Sequence, residues 1–306
     1  MIPHVHILMC TKDGGPFLAA QLASIAAQSH AEWSLWISDD GSQDDTLDII
    51  AKFQAAHPGR FISLVAGPQS GVAANFLSLL ARPAHHESWI AFADQDDIWM
   101  PHKLARAVDM IRRGTGAQIY GSSAVVVDAA MVVTGVPRRY QRPLEFGNAL
   151  VQNVLRGNTL VIPPPVTDYL RAAYSVVSPA QVPFHDWWVY QMGSGAGFDV
   201  LHDDKPGLFY RQHGRNVLGA QQGHAGRRAR VVLQRKFTGW VDANIEILRQ
   251  VSPVLTAPNR RLVHRFAQWR ADTPPELRPA PHALGVYRQT AAGDLALQAM
   301  ARLGLI

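Results

Sequence analysis

Several short stretches of this chain bring together residue types able to do chemistry. Asp94-Gln95-Asp96 places two carboxylates one residue apart. Oxygen ligands of this kind suit Mg²⁺ or Mn²⁺, which proteins hold with few carboxylates and complete with substrate phosphates. Carboxylates crowded without Lys or Arg among them are unfavourable until a cation neutralises them. The pattern serves equally well as a solvated acidic loop capping a helix that begins near Pro101. Asp39-Asp40-Gly41-Ser42, followed by Asp44-Asp45-Thr46, is a second acidic cluster. One acid can cap a helix starting near Thr46. Capping does not explain four acids, and a carboxylate after a strand can accept hydrogen bonds from a base N–H or a ribose hydroxyl.

Two further stretches lie in the second half. In Phe184-His185-Asp186-Trp187-Trp188 an acid is flanked by rings. Apolar rings raise a carboxylate's pKa and exclude water, as suits a general base. Trp187 and Trp188 also offer flat faces on which a sugar can stack, or they form a core pair beside a helix cap. In Tyr210-Arg211-Gln212-His213-Gly214-Arg215-Asn216, Arg211 suits diphosphate contact and a neutral His213 can complete a metal site. Gly157-Asn158-Thr159 allows close backbone approach to a ligand or acceptor. Gly193-Ser194-Gly195-Ala196-Gly197 looks like a dinucleotide loop only superficially, because no strand precedes it and no helix follows; it reads as a loop.

These residues need elements to position them. Val5–Cys10, Trp33–Ser38, Phe61–Val65 and Trp89–Ala93 read as strands. Helical spacing over 16–28, over 46–53 and from Asn75 to Leu80 falls between them. Strand and helix in alternation predict an α/β fold with a mostly parallel sheet flanked by helices. Ligands of such sheets bind beyond the carboxyl ends of the strands, where both acidic clusters fall. From about 117 the pattern changes. Ile119–Val127 is a long strand candidate, 134–150 is irregular, and Pro163-Pro164-Pro165 breaks the chain. Phe184–Met192 opens as a helix and Phe198–His202 as a strand. Residues 227–250, 260–270 and 294–303 read as helices, with a proline-rich linker at 272–283.

Composition sets outer bounds. The 306 residues suffice for one large α/β domain with an appendage. A lone cysteine, Cys10, excludes an internal disulfide and a cysteine-based zinc site. The sequence shows no leader pattern and no apolar run of about 18–20 residues, so a cytoplasmic protein is expected. Residues 220–306 hold 13 Lys and Arg against 5 Asp and Glu, a balance of +8, while the rest of the chain balances at −3. That asymmetry predicts either an acidic partner, such as an anionic inner-membrane surface, or a solvated basic face.

In combination these motifs resemble the family 2 glycosyltransferases of the GT-A (Rossmann-like) fold, and more narrowly the bacterial rhamnosyltransferases of polysaccharide assembly. The resemblance runs from about residue 5 to 219. It rests on Cys10-Thr11-Lys12-Asp13, Ser38-Asp39-Asp40-Gly41-Ser42, Asn75-Phe76-Leu77, Asp94-Gln95-Asp96-Asp97-Ile98-Trp99, His185-Asp186-Trp187-Trp188 and Tyr210-Arg211-Gln212-His213-Gly214-x-Asn216. It implies that Thr11, Asp13, Asp39, Asp40, Asn75, Asp94 and Arg211 bind the nucleotide-sugar donor. Asp13 stands where the family usually has Asn. Asp96 and His213 would hold Mn²⁺ or Mg²⁺, Asp186 would be the catalytic base, and Gly157, Asn158, Thr159, Trp187 and Trp188 would meet the acceptor.

The implied organisation is a catalytic domain over 1–219, with a nucleotide-sugar half to about 128 and an acceptor half to 219. A basic helical region follows over 220–306. The implied reaction is inverting transfer from a dTDP- or UDP-sugar, dTDP-rhamnose above all, to a glycan or lipid-linked oligosaccharide. Nucleic acid is not an expected partner. A sugar-nucleotide pyrophosphorylase would need a glycine-rich basic loop after the first strand, of which Lys12-Asp13-Gly14-Gly15 is a faint echo. A non-catalytic glycan- or nucleotide-binding domain would be expected to lack Asp96 or Asp186, and both are present.

Overall fold

A computed structural model describes residues 2–135, 139–177, 181–214 and 227–306. The first third alternates as the sequence predicts: β1 (Val5–Thr11), α1 (Gly15–Ala26), β2 (Trp33–Asp39), α2 (Thr46–Ala56), β3 (Ile62–Ala66), α3 (Val72–Leu80) and β4 (Trp89–Ala93). Two elements then appear where the sequence reading had only a helix start. They are β5 (Ile98–Trp99) and α4 (Lys103–Arg113), whose buried Leu104, Ala107, Val108 and Ile111 fall at helical spacing. The chain continues through β6 (Ile119–Asp128), β7 (Val133–Gly135), α5 (Phe146–Ala149), β8 (Val161–Ile162), α6 (Pro164–Tyr174), α7 (His185–Gly195) and β9 (Val200–Gln212). It ends in α8 (Arg227–Gln250), α9 (Ala257–Asp272) and α10 (Ala291–Arg302).

The strands form one sheet in the order β3-β2-β1-β4-β8-β6-β9-β5, with β7 on β6. It is parallel across β3-β2-β1-β4 and between β6 and β9; β8, β5 and β7 pair antiparallel. The period-2 alternation of β1 feeds both faces. Val5, Ile7 and Met9 enter a core with Leu18 and Leu22 of α1 and Leu104 of α4. Leu8 and Cys10 enter a second core with α3, α6 and α7.

Three local readings change. The triple proline opens α6 as well as breaking the chain, because Pro in the first turn needs no N–H partner. Gly193 and Gly195 close α7 and are not in a loop. A Cβ on Gly193 would lie 2.0 Å from Ile119 Cδ1, so this glycine lets the helix approach β6 closely, and one on Gly195 would lie 2.8 Å from Leu255 Cδ2. Finally, β9 runs on through Tyr210 and Arg211 as one long strand paired with β6.

The C-terminal helices share the second core with the acid-bearing helix: Val241, Ile245, Leu248, Val263 and Phe266 cluster with Trp187 and Trp188. Phe237 of α8 stacks on Trp187 at 6.2 Å, and Trp240 meets Phe184 edge-on at 4.8 Å. Phe237 thus packs on the second core beside α7. The side chains of the basic run 227–235 lie outside the described residues, as do Arg215 and Asn216. Among the described residues no helix is long and apolar enough to cross a membrane.

Candidate active site

The carboxyl ends of β1, β2 and β4 meet at one edge of the sheet. Thr11 and Asp39, the last residues of β1 and β2, are register partners. Thr11 Oγ1 donates to Asp39 Oδ1 at 2.9 Å, and Asp39 Oδ2 accepts Gly41 N at 3.1 Å and Ser42 N at 2.9 Å. This Asp is nearly buried, and it holds the turn that leaves β2. Asp13 takes a left-handed backbone (φ 47°), receives Gln43 N on Oδ1 at 2.7 Å, and donates its own N–H to Ser42 Oγ at 2.9 Å. Asp40 Oδ1 accepts Gln69 N at 2.6 Å, tying in the loop after β3.

Below this turn opens a cleft of about 840 Å³, lined by Lys12, Asp13, Phe17, Gln95, Asp96 and His213 among others. Asp94, Asp96 and Asp97 each offer a carboxylate oxygen within 4.8 Å of the others. Asp97 is fully buried and accepts Asn158 Nδ2 at 2.5 Å and Arg211 N at 3.2 Å. Burial, then the charges of Asp97, Asp96 and Asp186, pushes the Asp94 carboxyl well up. Burial, then Asp96, likewise raises Asp97, against the pull of Asn158, Arg211 N–H and Arg156. Oxygen donors in this strained state are relieved by a divalent cation, so the residues present fit Mn²⁺ or Mg²⁺. His213 Nε2 lies 2.8 Å from Asp96 Oδ2, and its ring stacks on Phe17 at 4.6 Å. The two residues expected to share a metal are therefore adjacent at the cleft.

Asp186 stands in the first turn of α7, where Oδ1 accepts Trp187 N at 2.7 Å and Oδ2 accepts Gly157 N at 3.1 Å. Gly157 and Asn158, neighbours in the chain, bind Asp186 and Asp97 respectively, so Asp186 stands beside the acidic centre. The residues around it do something other than expected. Trp187 and Trp188 are core residues at 3% and 0% exposure, so neither ring faces an acceptor. The alternation around α7 that exposes Asp186 turns both indoles inward, and Trp187 Nε1 donates to Ala149 O at 2.6 Å. Gly157, Asn158 and Thr159 are buried as well and act through others. Gly157 holds Asp186, Asn158 holds Asp97, and Thr159 Oγ1 donates to Arg156 O at 2.8 Å. Asn75 is buried, exchanging hydrogen bonds with Ser38 Oγ at 2.6 Å and Ser38 O at 3.1 Å. It fastens α3 to β2. Arg211 is 5% exposed, donates to Asp96 O and Ala129 O at 2.9 Å each, and lies over the Phe17 ring at 4.7 Å. It braces the acidic turn.

Residues 6–175 match the family described as Glycosyl transferase family 2, more than half of the chain. The chain belongs to this glycosyltransferase family. A relative named dTDP-rhamnosyl transferase RfbG, from Shigella flexneri, is 28% identical over 240 residues, 74% of this chain and 79% of that protein. An Escherichia coli UDP-Glc:alpha-D-GlcNAc-diphosphoundecaprenol beta-1,3-glucosyltransferase, WfgD, is 27% identical over 42% of this chain and 49% of its own length. The fold is similar to that of S. aureus TarS 1-349 in complex with UDP-GlcNAc, with TM-score 0.57 and 14% identity over 98% of this chain and 90% of that one. It is also similar to the mannosyltransferase PcManGT from Pyrobaculum calidifontis in complex with GDP-Man and Mn²⁺, with TM-score 0.54 and 16% identity over 100% and 86%. Both structural alignments run into the C-terminal helices as well as over the sheet.

Several residues of this glycosyltransferase site escape sequence reasoning. Gln95 closes a two-bond clamp: its Oε1 accepts Lys12 N and its Nε2 donates to Lys12 O, both at 2.9 Å. A Cβ on Gly14 would come 2.3 Å from Gln95 Oε1, so the glycine is what lets the clamp close. Lys103 is buried beneath Asp97, over the Trp99 ring at 4.2 Å. Arg156 lies over Tyr210 at 4.8 Å. For Gln95 the only signal is its place between two acids; for Arg156, its place before Gly157-Asn158.

Proposed function

We propose that this glycosyltransferase inverts configuration, with Asp186 as the base. It would transfer a sugar from a nucleotide-sugar donor, dTDP-rhamnose first among them, to a hydroxyl of a bacterial polysaccharide or lipid-linked oligosaccharide. The observation that carries the reading is the Thr11–Asp39 pair and the Asp94/Asp96/Asp97/His213 cluster at one sheet edge, with Asp186 brought beside them through Gly157 and Asn158. Thr11, Asp13, Asp39 and Asp40 would shape the seat of the base, and Asp94 would face the ribose or the sugar. A divalent cation held at Asp96 and His213 would supply the positive charge that a departing diphosphate needs. Mn²⁺ in the Pyrobaculum neighbour supports that ion first.

Asp186 takes the proton of the acceptor hydroxyl, whose oxygen attacks the anomeric carbon from the face opposite the diphosphate. The two backbone N–H groups on Asp186 hold its carboxylate in place for this step. Asn158, Arg211 and Asn75 keep the acidic turn and the nucleotide-binding turn in register. The Shigella relative's printed name supports dTDP-rhamnose, the UDP-GlcNAc in the TarS complex keeps UDP-sugars as the alternative donor, and the diphosphoundecaprenol in the E. coli name supports a lipid-linked acceptor. The +8 balance after 219 supports a cytoplasmic enzyme resting on an anionic inner-membrane surface, with the exposed Lys236 at the start of the described side chains. Nucleoside diphosphate release from dTDP-rhamnose, UDP-glucose, UDP-N-acetylglucosamine and GDP-mannose, with Mn²⁺ and with EDTA, tests the reading. Release from dTDP-rhamnose alone is expected, and release from none would overturn it.

A further inference from the structure

Phe17 belongs to the first turn of α1 and lines the cleft beside Asp96 and His213, half-buried. Three hydrogen bonds fix the ground it stands on. Gly14 N donates to Thr46 Oγ1 at 2.8 Å, Gly15 N to Asp44 Oδ2 at 2.9 Å, and Gln21 Nε2, one turn on, to Asp94 O at 3.0 Å. His213 stands on less fixed ground, because the pairing of β9 with β6 ends at Gln212, one residue before it. Its ring stacks on Phe17 with centroids 4.6 Å apart and planes 28° from parallel, while Nε2 faces Asp96 Oδ2 at 2.8 Å. The lone pair of an imidazole that binds a metal lies in the ring plane. A stack on the ring's face therefore sets that plane and leaves the nitrogen edge open toward Asp96. Arg211 also lies over the Phe17 ring, at 4.7 Å, but it is held by two carbonyl oxygens at 2.9 Å each.

We propose that Phe17 is a positioning residue for His213: its ring holds the imidazole edge-on to Asp96, so that nitrogen and carboxylate oxygen together present a ready-made pair of ligands to a divalent cation. This rests on the metal-dependent glycosyltransferase reading of the same cleft. Phe17 touches neither the cation nor the nucleotide in this arrangement and acts through the imidazole alone. The ring is met by His213 and Arg211, residues on either side of Gln212, so it serves the protein's own side chains and not a nucleotide base. Partners that orient a metal-binding histidine are worth about 10–100-fold in metal affinity.

The test titrates dTDP and UDP into the full chain by calorimetry, in Mn²⁺ and in EDTA, for wild type, Phe17→Leu, Phe17→Tyr, His213→Ala and the double variant Phe17→Leu with His213→Ala. Thermal melts show which variants fold, and Phe17→Met replaces Phe17→Leu if that one does not. In Mn²⁺, Phe17→Leu is expected to bind nucleotide about tenfold more weakly than wild type. Phe17→Tyr, which keeps the ring face, should stay within about twofold of wild type, Phe17→Leu should do the same in EDTA, and adding Phe17→Leu to His213→Ala should cost no more than about twofold further. Undiminished affinity of Phe17→Leu in Mn²⁺, a loss for Phe17→Tyr as large as for Phe17→Leu, or a loss that adds in full to that of His213→Ala would each overturn the inference. So would an equal loss in Mn²⁺ and EDTA, which would make the ring a seat for the nucleotide itself. Equal wild-type affinity in Mn²⁺ and EDTA, or no loss in His213→Ala, would instead overturn the metal reading on which it rests.

Discussion

Asp186→Asn is the sharpest perturbation of the proposed chemistry. The side chain keeps its size but cannot take a proton. General-base contributions of about 10²–10⁴ correspond to about 3–5 kcal/mol of barrier. A second effect follows from the two backbone donors. The carboxylate offers one oxygen to Trp187 N at 2.7 Å and the other to Gly157 N at 3.1 Å. Asparagine has a single acceptor oxygen, so one N–H, the longer Gly157 bond first, loses its partner at a cost of about 1–3 kcal/mol. Donor release into water or acceptor should therefore fall by about 10²–10⁴, with a melting temperature lower by several degrees. Affinity for free nucleoside diphosphate should stay within about twofold, because Asp186 lines no part of the cleft where Asp96 and His213 sit. The assay is single-turnover diphosphate release beside calorimetry on the same preparations. Undiminished release would refute Asp186 as base, and a matched loss of diphosphate affinity would refute its separation from the nucleotide site.

The remaining expectations follow from the same geometry. Asp96→Asn, or EDTA with wild type, should weaken dTDP or UDP binding by at least about tenfold, since an acidic cluster without a cation repels a diphosphate; equal calorimetric affinity in EDTA would remove the metal. Gln95→Leu deletes both clamp bonds to Lys12 and should cost about tenfold in nucleotide affinity with little change in melting temperature; an unchanged Kd would make the clamp incidental. Burial lowers the Lys103 ammonium from its ordinary 10.5 to about 7, against the opposing charge of Asp97. The unfolded chain thus binds the extra proton between about pH 7 and 10.5, so this group makes stability rise with pH across that window and penalises the fold fully below it. Lys103→Met should accordingly raise the melting temperature at pH 6 and flatten its rise toward pH 10; a lower melting temperature at pH 6 would refute this.

What could be read from the sequence, and what could not, divides along a physical line. The β1–β4 half was legible because β1, β2 and β4 are largely apolar runs buried on both faces, the edge strand β3 is a short apolar run, and each helix repeats at its own period. The position of the acids was legible too, since each cluster directly follows an apolar run, while capping explained the Asp94–Asp96 pattern equally well and only the combination of motifs favoured a ligand site. Side-chain direction was not. In α7 the types Asp, Trp and Trp all suit a sugar site, yet a helix sends neighbouring residues roughly 100° apart, and only Asp186 stays half-buried while both indoles enter the core. The same limit applies to Asn75, Asn158 and Arg211, polar residues whose partners are Ser38, Asp97 and the Asp96 carbonyl, brought near only by the sheet. Arg211 is the instructive case. As a type it suits diphosphate, but as the β9 neighbour of β6 it is drawn inward, where its N–H and guanidinium hold the turn 115 residues away. A guanidinium used in this way fixes where Asp96 meets the cleft, and so would act on the proposed metal and diphosphate through the backbone without touching either.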